Sequence, residues 1–97
     1  MPHYIILGNW TDQGIRNVKE SPKRAAAARA AFEKAGAKWL GFYSTFGQYD
    51  MVLIAEAPND ETIMALLLAI GSLGSVRTTT LKAFPESEAD KIIAELP

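Results

Sequence analysis

The chain has 97 residues, no cysteine and a formal net charge of −1 at pH 7. This length is typical of one domain, so we expect residues 1–97 to form a single domain. Hydrophobic content of 48% and charged content of 22% are those of a globular protein. The absence of cysteine excludes disulfides, thiolate metal sites and cysteine nucleophiles. The near-neutral net charge predicts neither nucleic acid nor a membrane surface as a partner.

Charge is nevertheless unevenly distributed along the chain. Residues 16–38 hold seven basic and two acidic side chains, whereas the rest holds three basic and nine acidic ones. A basic stripe can contact phosphate, but its ordinary interpretation is the solvated face of a helix. The longest apolar run, residues 63–70, is far shorter than the roughly 20 residues that span a bilayer. The N-terminus has no signal-peptide pattern, so we expect a cytoplasmic protein.

The first half of the sequence predicts a strand, a short helical piece and a long helix. Residues 4–9 are apolar and β-prone and predict the first strand. Residues 11–20 predict a turn with a short helix, for which Thr11 or Asp12 is the cap. Ser21 followed by Pro22 predicts the start of an alanine-rich helix, with Ser21 as its cap. Gly36 ends that helix.

The second half predicts a hairpin, a second helix, a last strand and a tail helix. Aromatic residues in 38–46 and the apolar run 51–57 predict strands two and three, joined by a turn at Gly47-Gln48. Asn59 or Asp60 caps a helix whose core stripe is Ile63, Leu66, Leu67, Ile70 and Leu73. Residues 76–84 predict strand four, and residues 86–96 an amphipathic helix. The fold class is therefore α+β, a ferredoxin-like βαββαβ sandwich with a C-terminal helix and strand order 4-1-3-2.

The two central strands predict an association of the chain with itself. A strand with one solvated face alternates apolar and polar residues, but residues 4–7 and 51–55 are apolar on both faces. The helix after Glu61 carries no charge through Gly74, and Met64 and Leu68 lie off its core stripe. We expect the tail helix to cover part of that helix and a second subunit to cover the rest. The expected assembly is a homodimer built sheet to sheet, or a higher homo-oligomer.

Several short motifs resemble those of one known family. They are Gly47-Gln48-Tyr49-Asp50, the upstream Gly41-Phe42-Tyr43, and the downstream segment 71–80. In this order and spacing, the sequence resembles the GYD-domain family over nearly the whole chain. The resemblance implies the dimeric α/β-barrel fold and leaves the function open. Relatives of that fold include cofactor-free oxygenases, haem-handling enzymes and ligand-sensing domains of transcription regulators.

Polar side chains are predicted to collect at one end of the sheet. Because strands three and four run antiparallel to strand one, the end of strand one, the hairpin and the start of strand four meet there. The candidate ligand-binding residues at this end are Trp10, Tyr43, Tyr49, Asp50 and Arg77. They bring an indole, two phenols, a carboxylate and a guanidinium within reach of one another.

Each of these residues also has a structural interpretation. Asp50 is a candidate general base or ligand contact, or else accepts hydrogen bonds from hairpin amides or pairs with Arg77. If Arg77 does not pair with Asp50, it is a candidate to bind a carboxylate or phosphate in bidentate fashion. Tyr43 and Tyr49 line a pocket between sheets or simply pack there, and Trp10 belongs either to the site or to the core or interface.

No motif in the sequence identifies a metal, a cofactor or a catalytic residue. The only histidine, His3, is predicted at the opposite end of the sheet, near Lys38 and Glu56. Metal-ligand spacing, a nucleophile elbow and a phosphate-binding loop are all absent. The two glycines at 71 and 74 precede a strand rather than a helix, which excludes a dinucleotide-binding loop.

Three functions remain open from the sequence. The first is a homo-oligomeric binding module that holds a small organic molecule between the sheet and a helix or a partner subunit. The second is a small cofactor-free enzyme, oxygenase- or isomerase-like, in which Asp50 or a tyrosine moves a proton. The third is a purely structural subunit.

Overall fold

The computed structural model describes residues 1–97, and it confirms the predicted order of elements. The sheet is antiparallel throughout, with strand order β2-β3-β1-β4. This is the predicted ferredoxin-like α+β arrangement, with a short helix and a single 3₁₀ turn (Val18–Glu20) between the first strand and the first long helix. The elements are β1 (His3–Trp10), α1 (Asp12–Arg16), α2 (Ser21–Lys34), β2 (Lys38–Ser44), β3 (Met51–Glu56), α3 (Asp60–Ser72), β4 (Val76–Ala83) and α4 (Glu86–Ala94).

The core lies between one face of the sheet and the two long helices. Phe32 of α2 and Ile63 of α3 are buried in the same cluster, so both helices cover the same face. The Phe32 ring packs edge-on against Trp39 with ring centroids 5.3 Å apart, a favourable arrangement for two aromatic rings. The other buried members of the cluster are Tyr4, Ile6, Ala37, Leu53, Ala55 and Ala57.

Local capping signals in the sequence were mostly correct. The Thr11 hydroxyl accepts a hydrogen bond from the Gly14 amide, and the Asn59 side chain accepts one from the Thr62 amide. Gly36 and Gly47 both adopt the positive φ that a helix stop and a tight hairpin require. Ser21 was wrongly predicted as a cap: it is the first residue of α2, because the preceding 3₁₀ turn already leads the chain into the helix.

Two predicted elements end two residues earlier than expected. β2 stops at Ser44 rather than residue 46, because the Thr45 amide donates to the Asp50 carbonyl and closes the hairpin. Phe46 is therefore fully exposed at the hairpin tip. α4 ends at Ala94 rather than Leu96. These differences shorten the elements without changing their order.

The second face of the sheet is not covered by any helix. Burial alternates along β1 and β3, so residues opposite the core are only half-buried within one chain. The register places Ile5 between Ile54 and Leu81, and places Val52 between Leu7 and Tyr43. We call this surface the open face: Ile5, Leu7, Tyr43, Val52, Ile54 and Leu81. Within one chain the central strands are thus buried on one side, and the cover by a second subunit on the other side stays a prediction.

The tail helix does not cover α3 as predicted. No residue of α4 is buried, and Ile92 and Ile93 are exposed. Met64 and Leu68 of α3 are 63% and 67% exposed. Leu73, predicted in the core stripe, is also exposed because it follows the last turn of α3, where the chain bends into Gly74. None of the helices is both long and apolar enough to cross a membrane.

The short helix α1 is fixed to the loop between α3 and β4. The Thr11 amide donates to the Ser75 carbonyl at 3.1 Å, and the Thr11 hydroxyl donates to the Gly74 carbonyl at 2.5 Å. The Gln13 side chain donates to the Leu73 carbonyl at 3.2 Å. Gly14 is buried here, and a Cβ at this position would lie 1.9 Å from the Ser75 carbonyl oxygen. The junction therefore requires glycine at position 14.

We expect Gly14→Ala to lower the free energy of unfolding by about 2–3 kcal/mol, because the added methyl group forces α1 away from the Ser75 backbone. Gly71→Ala is the matched control, since a Cβ there meets no atom within 4 Å and the residue lies in α3. That variant should be neutral or slightly more stable. Urea denaturation of both variants checks this, and equal stabilities would contradict the close packing at Gly14.

Candidate ligand-binding site

The structure brings the predicted segments together at one end of the sheet. The Asp50 amide donates to the Gly8 carbonyl at 2.9 Å, and the Asn9 side chain donates to the Gln48 carbonyl at 2.9 Å. On the other side of β1, Asn9 is opposite Arg77. The hairpin and the start of β4 therefore flank the end of β1 on its two sides.

The candidate side chains at this end do not form one cluster. Trp10 belongs to the helix side of the sheet, where its ring lies 5.9 Å from the Arg24 guanidinium. Tyr43 lies on the open face and is exposed. Arg77 is exposed, and Tyr49 is half-buried, with its backbone carbonyl accepting a hydrogen bond from the Thr45 hydroxyl.

Asp50 has a structural partner, but not the one predicted. Its carboxylate accepts a hydrogen bond from the Trp10 amide at 2.9 Å, across the neighbouring strand rather than within the hairpin. The ion pair with Arg77, one of the alternatives for Asp50, does not form. The three ion pairs of the structure join His3 to Glu56, Arg29 to Glu33 and Lys82 to Asp60.

A different site opens between α3 and β4. Because β4 is an edge strand and α3 covers it incompletely, a groove of about 330 Å³ remains there. The sequence hypothesis placed a pocket between the sheet and this helix, but none of the five candidate residues lines the groove. We call it the α3–β4 groove; its lining residues are Tyr4, Asp60, Ile63, Met64, Leu67, Leu68, Thr78, Thr80 and Lys82.

One end of the α3–β4 groove carries a chain of three polar groups. The Tyr4 hydroxyl donates to the Asp60 carboxylate at 2.5 Å, and the Lys82 ammonium lies 3.2 Å from the same carboxylate. Tyr4 is only 2% exposed, whereas Asp60 and Lys82 are open to solvent. The register explains the meeting, since Tyr4 is opposite Lys82 and Asp60 begins the adjacent helix.

These contacts set the protonation states at this end of the groove. Burial, and then the hydrogen bond to Asp60, raise the pKa of Tyr4 from 10.0 to about 12. The hydrogen bonds from Tyr4 and Lys82 lower the pKa of Asp60. At neutral pH the groove therefore presents a neutral phenol, a carboxylate and an ammonium group beside the hydroxyls of Thr78 and Thr80.

The groove combines apolar and charged side chains. Ile63, Met64, Leu67 and Leu68 supply an apolar wall, and the charged groups lie at the other end. No cluster of three His, Cys, Asp or Glu side chains lies close enough to hold a metal ion. The groove thus offers hydrogen bonds, opposite charges and apolar contact.

Sequence reasoning overlooked Tyr4, Asp60 and Lys82, although one signal was available. Tyr4 lies on the core side of an otherwise apolar strand, and a buried tyrosine hydroxyl requires a hydrogen-bond partner. With strand order 4-1-3-2, the start of α3 and the end of β4 are the places to look for that partner. The three residues were instead treated as a strand residue, a cap and a strand end.

Residues 4–93 match the GYD domain family. The chain belongs to this family. It is also 33% identical over 89 residues to a protein of Thermus thermophilus named glutamine synthetase and cystathionine beta-lyase binding protein. That alignment covers 91% of this chain and 94% of the relative. The resemblance inferred from the G-x-Y-D segment is confirmed.

Solved structures confirm the fold. A feast or famine regulatory protein of Mycobacterium tuberculosis, complexed with L-methionine, superposes with a TM-score of 0.65 at 16% identity. The match covers 88% of this chain and 51% of that protein, so the chain spans about half its length. A protein of Thermus thermophilus gives a TM-score of 0.56 at 25% identity, and the match covers 88% of this chain and 95% of that protein.

The Tyr4–Asp60 contact predicts a pH dependence of stability. The pKa of Tyr4 is about 12 when folded and 10.0 ordinarily, so the unfolded chain loses this proton first as pH rises. We expect the contribution of Tyr4 to the free energy of unfolding to be complete below pH 10 and to fall towards pH 12. In Tyr4→Phe this decrease in the free energy of unfolding between pH 10 and pH 12 should disappear. At pH 8 the free energy of unfolding of that variant should be lower than that of wild type by about 1–2 kcal/mol.

Urea denaturation of wild type and Tyr4→Phe at pH 8 and pH 11 measures both effects. Tyr43→Phe is the control, because its ring lies on the open face and no side-chain hydrogen bond holds its hydroxyl. If the difference between wild type and Tyr4→Phe were the same at both pH values, the raised pKa of Tyr4 would be contradicted.

Proposed function

We propose that this chain is a homo-oligomeric binding domain that holds a small organic molecule in the α3–β4 groove. The observation that carries this proposal is the groove itself, with an apolar wall at one end and opposite charges at the other. The ligand class that this arrangement favours is an α-amino acid with an apolar side chain. The sequence hypothesis of a binding module is kept, and its site residues are replaced.

Each part of such a ligand has a complementary group. The Lys82 ammonium is placed to bind a carboxylate, and Asp60 to bind an ammonium group. Met64, Leu67 and Leu68 are placed to contact an apolar side chain, and methionine side chains adapt readily to different shapes. Because Lys82 and Asp60 now pair with each other, a zwitterion would exchange one ion pair for two.

The comparisons support a binding role. The M. tuberculosis regulator with this fold carries L-methionine in its structure, and the T. thermophilus relative is named for binding two enzymes. The alternative of a cofactor-free enzyme requires Asp50 or a tyrosine to be free for proton transfer. Asp50 already accepts the Trp10 amide, and no hydrogen bond links the Tyr43 or Tyr49 hydroxyl to a base, which supports binding over catalysis.

The open face supports the homo-oligomeric part of the proposal. Six apolar or aromatic side chains lie together on a surface that the chain's own helices leave uncovered. A second copy placed sheet to sheet would bury this surface, in agreement with the dimeric barrel that the family resemblance implies. A purely structural subunit would need this interface but not the charged groove.

A second candidate function is the binding of another protein. The name of the T. thermophilus relative, which aligns over nearly its whole length, favours it. On this chain the exposed Met64 and Leu68 are the side chains best placed for such a contact. Since both residues also line the α3–β4 groove, a bound small molecule would change the surface that a protein partner meets.

Adding 10 mM L-methionine should raise the melting temperature by several degrees, because a ligand that binds the folded chain stabilises it by mass action. Lys82→Ala should abolish that rise, since it removes the group placed to bind the carboxylate. Arg77→Ala is the matched control: Arg77 is on the same strand and exposed, but it does not line the groove. Differential scanning fluorimetry and isothermal titration calorimetry measure the effect.

The outcome in Arg77→Ala separates the two candidate sites. If that variant loses the thermal shift and Lys82→Ala keeps it, the ligand binds at the hairpin end and the groove assignment is wrong. If L-methionine, L-leucine and L-phenylalanine all leave the melting temperature of wild type unchanged, the ligand class proposed for the groove is refuted.

Leu81→Glu should convert the assembly into monomers, because it places an unpaired charge on the open face, beside Ile5. We expect the dissociation constant of the dimer to rise at least about 100-fold, while a normal circular dichroism spectrum is kept because Leu81 is on an edge strand. Leu68→Glu, on the opposite side of the sheet, is the control and should stay dimeric. Sedimentation velocity of both variants decides, and the reverse result would place the interface on α3.

A further inference from the structure

The tail helix α4 is an exposed amphipathic helix with an acidic polar face. Ala89, Ile92 and Ile93 lie on one side of it at helical spacing, and Leu96 follows just after its end. Residues 86–97 hold four acidic side chains and one basic one. Ile92, Ile93 and Leu96 are all exposed, so the apolar side has no partner within the chain.

A second groove, between α2 and β2, complements this helix. It has a volume of about 450 Å³ and a lining of mixed polarity, in which five of the seven residues are hydrophobic and α2 adds the Arg29 guanidinium. Leu40 and Phe42 on the edge strand are 50% and 40% exposed there. Its α2 side lies within the basic segment 16–38. We call it the α2–β2 groove; its lining residues are Ala25, Ala26, Arg29, Trp39, Leu40, Gly41 and Phe42.

α4 cannot reach the α2–β2 groove of its own chain. β4 and β2 are the two opposite edges of the sheet, with β1 and β3 between them. Only Phe84 and Pro85 separate the end of β4 from the start of α4. Three strand spacings of roughly 4.8 Å separate β4 from β2, so the groove lies about 14 Å or more from the end of β4. Two residues are too short to carry the start of α4 over that distance.

We infer that α4 of one copy docks in the α2–β2 groove of a second copy. The inference rests on the homo-oligomer proposed above and assigns it a further contact. Charge favours this groove. Helix α2 carries four basic side chains and one acidic one, Glu33, which pairs with Arg29. In the α3–β4 groove the one lysine, Lys82, is already paired with Asp60, and Glu61 is adjacent. Ile92 and Ile93 of one copy then pack against Leu40 and Phe42 of the other, which buries all four side chains.

The contact is compatible with a sheet-to-sheet dimer. When two sheets face each other about a two-fold axis that runs along the strands, β4 of one copy lies over β2 of the other. α4 then starts beside the edge strand that carries the groove. Each copy both donates a helix and accepts one, so the arrangement closes on itself.

Cysteine cross-linking tests the contact, since the chain has no cysteine of its own. A Leu40→Cys variant is mixed with an Ile93→Cys variant, left to exchange subunits and oxidised. Both positions are at least half exposed, so the substitutions should preserve the fold. We expect a disulfide-linked dimer on non-reducing gels and by intact mass, at a yield at least about fivefold above that of either variant alone.

A Met64→Cys variant mixed with Ile93→Cys is the matched control, because Met64 is equally exposed but lies in the α3–β4 groove. A higher yield for this pair than for the Leu40 pair would overturn the inference and place α4 on α3. Adding Arg29→Glu to the Leu40→Cys chain should lower the yield several-fold, and Arg29→Lys should restore it. An unchanged yield with Arg29→Glu would refute the role of charge in selecting the groove.

Sedimentation velocity separates this inference from the proposed function. A wild-type dimer without any Leu40–Ile93 cross-link overturns the docking of α4 and leaves the sheet-to-sheet dimer in place. A wild-type monomer overturns both. The thermal shift of wild type with L-methionine tests the ligand independently, because neither Leu40 nor Ile93 lines the α3–β4 groove.

Discussion

The structure depends on a four-stranded sheet that is covered by helices on one side only. α2 and α3 bury the side chains of one face of β1 and β3, and the small side chains of Ala55 and Ala57 let the helices approach closely. The second face is apolar but has no helix of its own. A chain of this length therefore completes its core within itself and still presents a surface that favours a partner.

The same one-sided arrangement creates the candidate site. Helix α3 leaves the edge strand β4 partly uncovered. Polar side chains are tolerated there because water reaches them, yet Tyr4 on the adjacent central strand stays buried. The buried phenol holds the carboxylate of Asp60 in place, and Lys82 completes the group from the edge strand. A fixed polar end beside an adaptable apolar wall follows directly from this geometry.

Most of the fold could be predicted because its signals are local. Hydrophobic periodicity, the cap at Asn59 and the glycines at 36 and 47 set the elements, and chain topology set their order. The site could not be predicted in the same way, since Tyr4, Asp60 and Lys82 are far apart in the sequence. Their meeting depends on which strand positions α3 leaves uncovered. The alternative Asp50–Arg77 pair does not form, because the Asp50 carboxylate accepts a hydrogen bond from the Trp10 amide instead.

The hydrogen bonds between α1 and the α3–β4 loop limit where residues can be inserted into this chain. The loop at Leu73, Gly74 and Ser75 is held by three hydrogen bonds, so one added residue there would shift the register of β4. A one-residue shift turns every side chain of a strand to the other face, and Lys82 would leave the groove. At the hairpin tip Phe46 is fully exposed and a Cβ on Gly47 would meet nothing. Insertions among natural relatives should therefore accumulate at the hairpin tip and be missing from the loop.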